Sequence, residues 1–185
     1  MRYLIVSGMT KQDVFDQSIL HEAFRGAGDG GAEVQILTLD GIGRCKACED
    51  EGSPCKTGRR CAIGSDGFDE AQLAATEAGA MCIVAPIQWG EVTEPLKGFL
   101  ERLLRCEHGL SGSLHGKPIL LIAVPDGMGG GMLTCLELLD RFCRQTGAVI
   151  FDYLCITRWN SDYQRASTYA AAKSMAYGRK AGEAG

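Results

Sequence analysis

Five stretches of the chain are apolar over the length of a strand, and each is followed by a segment whose apolar residues recur at helical spacing. The strand-like runs are Tyr3 to Ser7, Glu33 to Leu39, Met81 to Pro86, Pro118 to Val124 and Ala148 to Ile156. The helical stretches are Ser18 to Arg25, Phe68 to Ala78, Leu96 to Arg105, Leu133 to Thr146 and Asp162 to Lys180, with Leu96, Phe99, Leu100 and Leu103 on one face of the third. Continuous apolar runs are how strands buried on both faces read, and regular alternation with helices predicts a parallel sheet covered on both sides. The expected class is a doubly wound α/β fold.

Two segments exceed a minimal version of that plan. Gly41 to Gly64 is long for a connection and has no strong period, so it is expected to be functional or mobile. Pro125 to Gly131 carries Gly127, Gly129, Gly130 and Gly131. No repeat, low-complexity tract or linker divides the chain, so residues 1–185 read as one domain with an insertion at about 41–64. The small, polar tail from Gly178 is expected to fray.

Composition narrows the function. Nineteen basic and twenty-three acidic side chains give a net charge of -4, which provides no positive field for nucleic acid or an anionic membrane. No apolar run reaches the roughly eighteen residues of a membrane span. Nine cysteines, an odd number, and no secretory leader at the start argue for reduced thiols and a cytoplasmic location rather than a disulfide framework.

Ligands of open parallel sheets sit outside the carboxyl ends of the strands, which directs attention to three loops. Ser7 to Ser18 brings hydroxyls, Lys11 and a helix start together, a combination that suits a phosphate; alternatively it is a polar turn in which Asp16 or Ser18 caps the helix. Pro86 to Lys97 places the flat face of Trp89 and the permissive backbone of Gly90 before a helix expected to be capped by Thr93. This suits a planar ring system, although Trp89 could instead pack on a neighbouring loop or subunit. The glycines of Pro125 to Gly131 would let backbone lie against the same ring, or confer flexibility alone. The other glycine cluster, Gly26 to Gly31, follows a helix and precedes a strand, so it reads as a helix stop and turn.

Together these loops resemble the flavodoxin-like superfamily, in its NADPH-dependent FMN reductase and iron-sulfur flavoprotein branch. The residues that carry the likeness are Asp16-Gln-Ser18, the block Pro86-Ile-Gln-Trp-Gly-Glu-Val-Thr-Glu-Pro-Leu-Lys-Gly-Phe-Leu-Glu-Arg-Leu104, Asp126 to Gly131, and the cysteine-bearing segment that leads into Asp66-Gly-Phe-Asp69. The resemblance implies a three-layer α/β/α fold with a five-stranded parallel sheet and non-covalent FMN. The phosphate would lie at Thr10, Lys11, Gln17 and Ser18, and the isoalloxazine against Pro86, Ile87, Gln88, Trp89, Gly90 and Glu91, with Asp126, Gly127, Gly129 and Gly130 nearby. Ser7-Gly-Met-Thr-Lys11 departs from the commoner Gly-Ser-x-Arg wording of the branch.

Cys45-x2-Cys48-x6-Cys55-x5-Cys61 places four soft ligands within one loop, among Lys46, Lys56, Arg59 and Arg60. Such a set suits a [4Fe-4S] cluster, a tetrahedral zinc, or free or redox-active thiols whose pKa values the cations lower. Cys82, Cys106, Cys135, Cys143 and Cys155 fall in predicted strands and helices and read as small buried hydrophobes. The three histidines are scattered and pair with no nucleophile, and Trp159 is expected to seal a helix start.

The expected function is an FMN-dependent oxidoreductase that passes electrons from NAD(P)H or a redox protein to a quinone, another flavin or a protein acceptor, acting as a dimer or tetramer. The alternative is a non-enzymatic electron carrier or redox-sensing module that works through the Cys45–Cys61 loop.

Overall fold

The computed structural model describes residues 1–9, 14–46, 48, 52–64, 66–108, 112–125, 127 and 129–178. Its elements follow in the order β1 (Arg2–Ser7), α1 (Val14–Asp29), β2 (Glu33–Thr38), α2 (Pro54–Gly58), α3 (Phe68–Glu77), β3 (Ala80–Gln88), β4 (Glu91–Val92), α4 (Glu94–Glu107), β5 (Pro118–Pro125), α5 (Met132–Thr146), β6 (Val149–Cys155) and α6 (Ser161–Ala176). Five parallel strands run in the order β2-β1-β3-β5-β6, and the two residues of β4 pair antiparallel with β3. This is the doubly wound order with its switch point between β1 and β3, the position at which α/β sheets open a ligand crevice.

Successive residues of the central strands serve opposite faces. Val6, Ile83 and Leu121 join the core beneath α3, α4 and α5, with Leu96, Phe99, Leu100 and Leu103 of α4. Ile5, Val84 and Ile122 join the core beneath α1 and α6. The edge strands differ from the expectation of full burial: Ile36 of β2 and Val149 and Tyr153 of β6 are exposed, because an edge lacks the neighbouring layer that covers β1, β3 and β5.

The Gly26 to Gly31 cluster also differs. α1 runs through Gly26 and Gly28 and stops only at Gly30-Gly31, where Gly31 has φ +84°. A Cβ on Gly26 would lie 2.3 Å from the carbonyl oxygen of Tyr169, so this glycine lets α6 pack directly on α1. Among the described residues, no helix is long and apolar enough to cross a membrane.

Candidate functional site

At the carboxyl end of β1 the chain turns through Gly8, where a Cβ would lie 2.9 Å from Leu96 Cδ2 and 3.2 Å from Pro86 Cδ. The Gly8 amide donates to the Val84 carbonyl at 2.9 Å. Its carbonyl accepts from Thr93 Oγ1 at 2.7 Å. Thr93 occupies the N-cap position of α4 but makes no side-chain capping bond there; its hydroxyl joins the loops after β1 and β3 instead, which corrects the expected cap.

Thr10 and Lys11 lie outside the described residues. α1 begins at Val14, upstream of both Asp16 and Ser18, so neither residue is its N-cap. Gln17 is exposed. Ser18 Oγ donates to the Phe15 carbonyl at 2.6 Å, within the helix. What α1 offers the crevice directly is its N-terminal turn, whose unpaired amides favour an anion.

β3 and β4 form a hairpin, with Ile87 opposite Val92 and Gln88 opposite Glu91. The two residues between, Trp89 and Gly90, have φ +54° and +83°, the left-handed pair that a tight two-residue turn requires. Trp89 is wholly exposed at the tip. Pro86 and Ile87 are buried, and Ile87 belongs to the core, so these two support the hairpin while Gln88, Trp89 and Glu91 are exposed. Glu91 pairs with Lys97 of α4 at 3.5 Å.

Asp126 lies outside the described residues. Gly131, at φ +81°, precedes α5, and a Cβ there would lie 2.5 Å from Gly90 Cα. The loops after β3 and β5 therefore touch backbone to backbone. Cβ atoms on Gly127 and Gly130 would meet nothing within 4 Å, and one on Gly129 would lie 3.7 Å from Thr157 Cγ2. At the end of β6, Asn160 Oδ1 accepts from the Thr157 amide at 2.7 Å, and Asn160 Nδ2 donates to the Cys155 carbonyl at 2.9 Å. Asn160, rather than the exposed Trp159, closes the entry to α6.

The cysteine segment is fastened to α4 by Arg102, whose side chain is wholly buried. Its Nε donates to Cys61 Sγ at 3.3 Å, Nη1 to the Gly43 carbonyl at 3.1 Å and Nη2 to the Ile63 carbonyl at 3.1 Å. The two remaining N–H groups grip Asp66, with Nη2 to Oδ1 at 3.0 Å, so all five donors of the guanidinium are used. The guanidinium also lies 4.0 Å above the Phe68 ring. The Arg102 hydrogen bond is the main cause that holds the Asp66 carboxyl down at about 2.

The four cysteines of the loop do not share a centre. Cys45 lines a cavity of about 320 Å³ with Arg44, Glu91, Glu94, Lys97 and Glu101. Cys55 is buried beside Ser53 Oγ, and Cys61 faces Arg102. Among the described residues, no three Cys, His, Asp or Glu side chains are placed to hold a metal. Cys45, Cys48, Cys55 and Cys61 thus do not fit the expected cluster or zinc as they are arranged. Cys106 is more than the small core hydrophobe the sequence suggests: burial chiefly, then the charges of Cys61 and Cys55, push its thiol up to about 12, so the three sulfurs are neighbours.

No curated protein sequence matches the chain. Among solved structures, the azoreductase AzrA is 14% identical with a TM-score of 0.69, over 96% of this chain and 99% of that one. RosB bound to 8-demethyl-8-formylriboflavin-5'-phosphate is 14% identical with a TM-score of 0.71, over 95% and 79%. A flavodoxin from the domain Archaea is 13% identical with a TM-score of 0.61, over 95% and 96%. At these identities the likeness establishes the flavodoxin-like fold. Residues 1–160 match the family described as NADPH-dependent FMN reductase. With most of its length covered by that match, the chain belongs to the NADPH-dependent FMN reductase family of oxidoreductases.

Proposed function

We propose that the protein binds FMN at the carboxyl ends of β1, β3 and β5 and passes electrons from NADH or NADPH to a small acceptor such as a quinone or a second flavin, or to a redox protein. The observation that carries this reading is the joining of three loops at one end of the sheet. Thr93 ties the first to the second through Gly8, and the second meets the third at Gly90 and Gly131.

The residues present suit FMN. Backbone at Gly90, Gly127, Gly129 and Gly130 can lie against a flat ring without side-chain interference, and the Trp89 indole offers an apolar face to cover it. The N-terminal turn of α1, with Thr10 and Lys11 just upstream, supplies amides, a hydroxyl and a cation for the phosphate. FMN, when bound, supplies the hydride and electron transfer chemistry. The chain's own task is to orient the ring and restrict access to it, and a second copy of the protein would complete that cover over the exposed Trp89.

Titration of the apoprotein with FMN, followed by anaerobic NAD(P)H turnover with a quinone, tests this reading. Saturable binding with turnover is expected. Absence of FMN binding overturns the proposal, and binding without NAD(P)H turnover replaces the enzyme with an electron carrier.

A further inference from the structure

Cys55, Cys61 and Cys106 gather against α4 at a place for which the flavin reading has no task. The arrangement is built rather than incidental. Arg102 takes hold of the segment at Gly43, Cys61, Ile63 and Asp66, and Cys106 follows Arg102 by one helical turn, on the same side of α4. Cys61 is partly exposed, whereas Cys106 has no exposed surface and Cys55 is buried.

We infer that Cys61 is a thiol–disulfide exchange site for small disulfides and that Cys106 is its resolving thiol, so that oxidation cross-links the inserted segment to α4. Exposure sets the order of events, because a small molecule reaches Cys61 and not Cys106. The Arg102 Nε–H bond fixes the Cys61 sulfur and sets a cation beside it.

In the first step the Cys61 sulfur, having lost its proton, attacks one sulfur of R–S–S–R. The S–S bond breaks, a Cys61–S–S–R bond forms, and R–S⁻ leaves to take up the proton. In the second, the Cys106 sulfur gives up its proton and attacks Cys61 Sγ, and the remaining R–S⁻ leaves as R–SH. Two protein thiols are oxidised to one disulfide, and one small disulfide is reduced to two thiols. Burial that keeps Cys106 protonated slows the second step, so the mixed disulfide appears first.

The test is a time course of the full-length protein with oxidised glutathione, read by mass spectrometry of unreduced peptides. Glutathione is expected on Cys61 early, replaced later by a peptide linking Cys61 to Cys106. Cys106→Ser should stop at the adduct, and Cys61→Ser, a change at a partly exposed position, should lose both products. An unmodified Cys61 overturns the site, and a Cys61–Cys55 link overturns the role of Cys106. The readout needs neither FMN nor NAD(P)H, so this inference and the flavin proposal fail separately.

Discussion

Thr93 Oγ1 donates to the carbonyl of Gly8 at 2.7 Å across 85 positions of sequence, and both residues are buried. The bond ties the turn after β1 to the start of α4. Thr93→Val keeps the volume but leaves the Gly8 carbonyl buried without its partner, at a cost of about 1–3 kcal/mol. Urea denaturation should show that loss and FMN titration a weaker Kd, while Thr93→Ser should retain most of both.

Gly131 and Gly90 provide a second junction. Gly131→Ala adds a carbon that would overlap Gly90 and sets alanine at φ +81°. The expected result is a destabilisation of about 1–3 kcal/mol with a marked loss of FMN affinity. Gly130→Ala, where a Cβ meets nothing within 4 Å, is the control and should change neither. Equal behaviour of the two variants would remove the hairpin contact from the site.

Trp89 combines full exposure with a left-handed backbone. Trp89→Gly relieves that backbone, so thermal unfolding should show the FMN-free monomer stabilised by up to about 1 kcal/mol. FMN affinity should fall, since the ring loses its cover. A destabilised variant would mean that the indole is buried in solution, as it would be against a second copy.

Asp66 sets an acid limit on the cysteine segment. Its folded pKa of about 2 lies below the unfolded value of about 3.9, so the pair with Arg102 contributes fully above pH 4 and is lost as pH falls towards 2. Asp66→Asn should flatten the stability profile between pH 4 and 2. At neutral pH it should cost about 3–5 kcal/mol, because the buried guanidinium loses its counter-charge.

Tyr3 is wholly buried in β1, and its hydroxyl has no hydrogen-bond partner. Tyr3→Phe removes an unsatisfied polar atom at nearly constant volume, so it should leave the melting temperature unchanged or raise it.

Local spacing made most of the scaffold legible. Leu96, Phe99, Leu100 and Leu103 announce the buried face of α4, and the short apolar runs announce the strands. Which strands lie at the edges depends on their order in space, so the exposure of Ile36 and Tyr153 has no local sign. The loop after β3 stood out through Trp89-Gly90, yet the left-handed turn there follows from the pairing of β3 with β4. Arg102 shows the limit most plainly. A charged residue on a helix ordinarily reads as solvated, and its burial depends on acceptors supplied by a segment some forty to sixty positions earlier. Cys106 was read as core for the same reason, since its sulfur neighbours come from that segment. Thr93 was read as a cap because its partner across 85 positions is invisible to local pattern.

The grip of Arg102 on Gly43, Cys61, Ile63 and Asp66 also divides the inserted segment into a fixed base and a single arc, residues 44–60, anchored at both ends to the same helix turn. Doubling the length of a flexible arc whose ends are already together costs only about 0.6 kcal/mol. That arc is therefore where relatives can gain or lose residues at little cost to the sheet, with cysteine spacing free to vary between Gly43 and Cys61 while Arg102 and Asp66 remain in register.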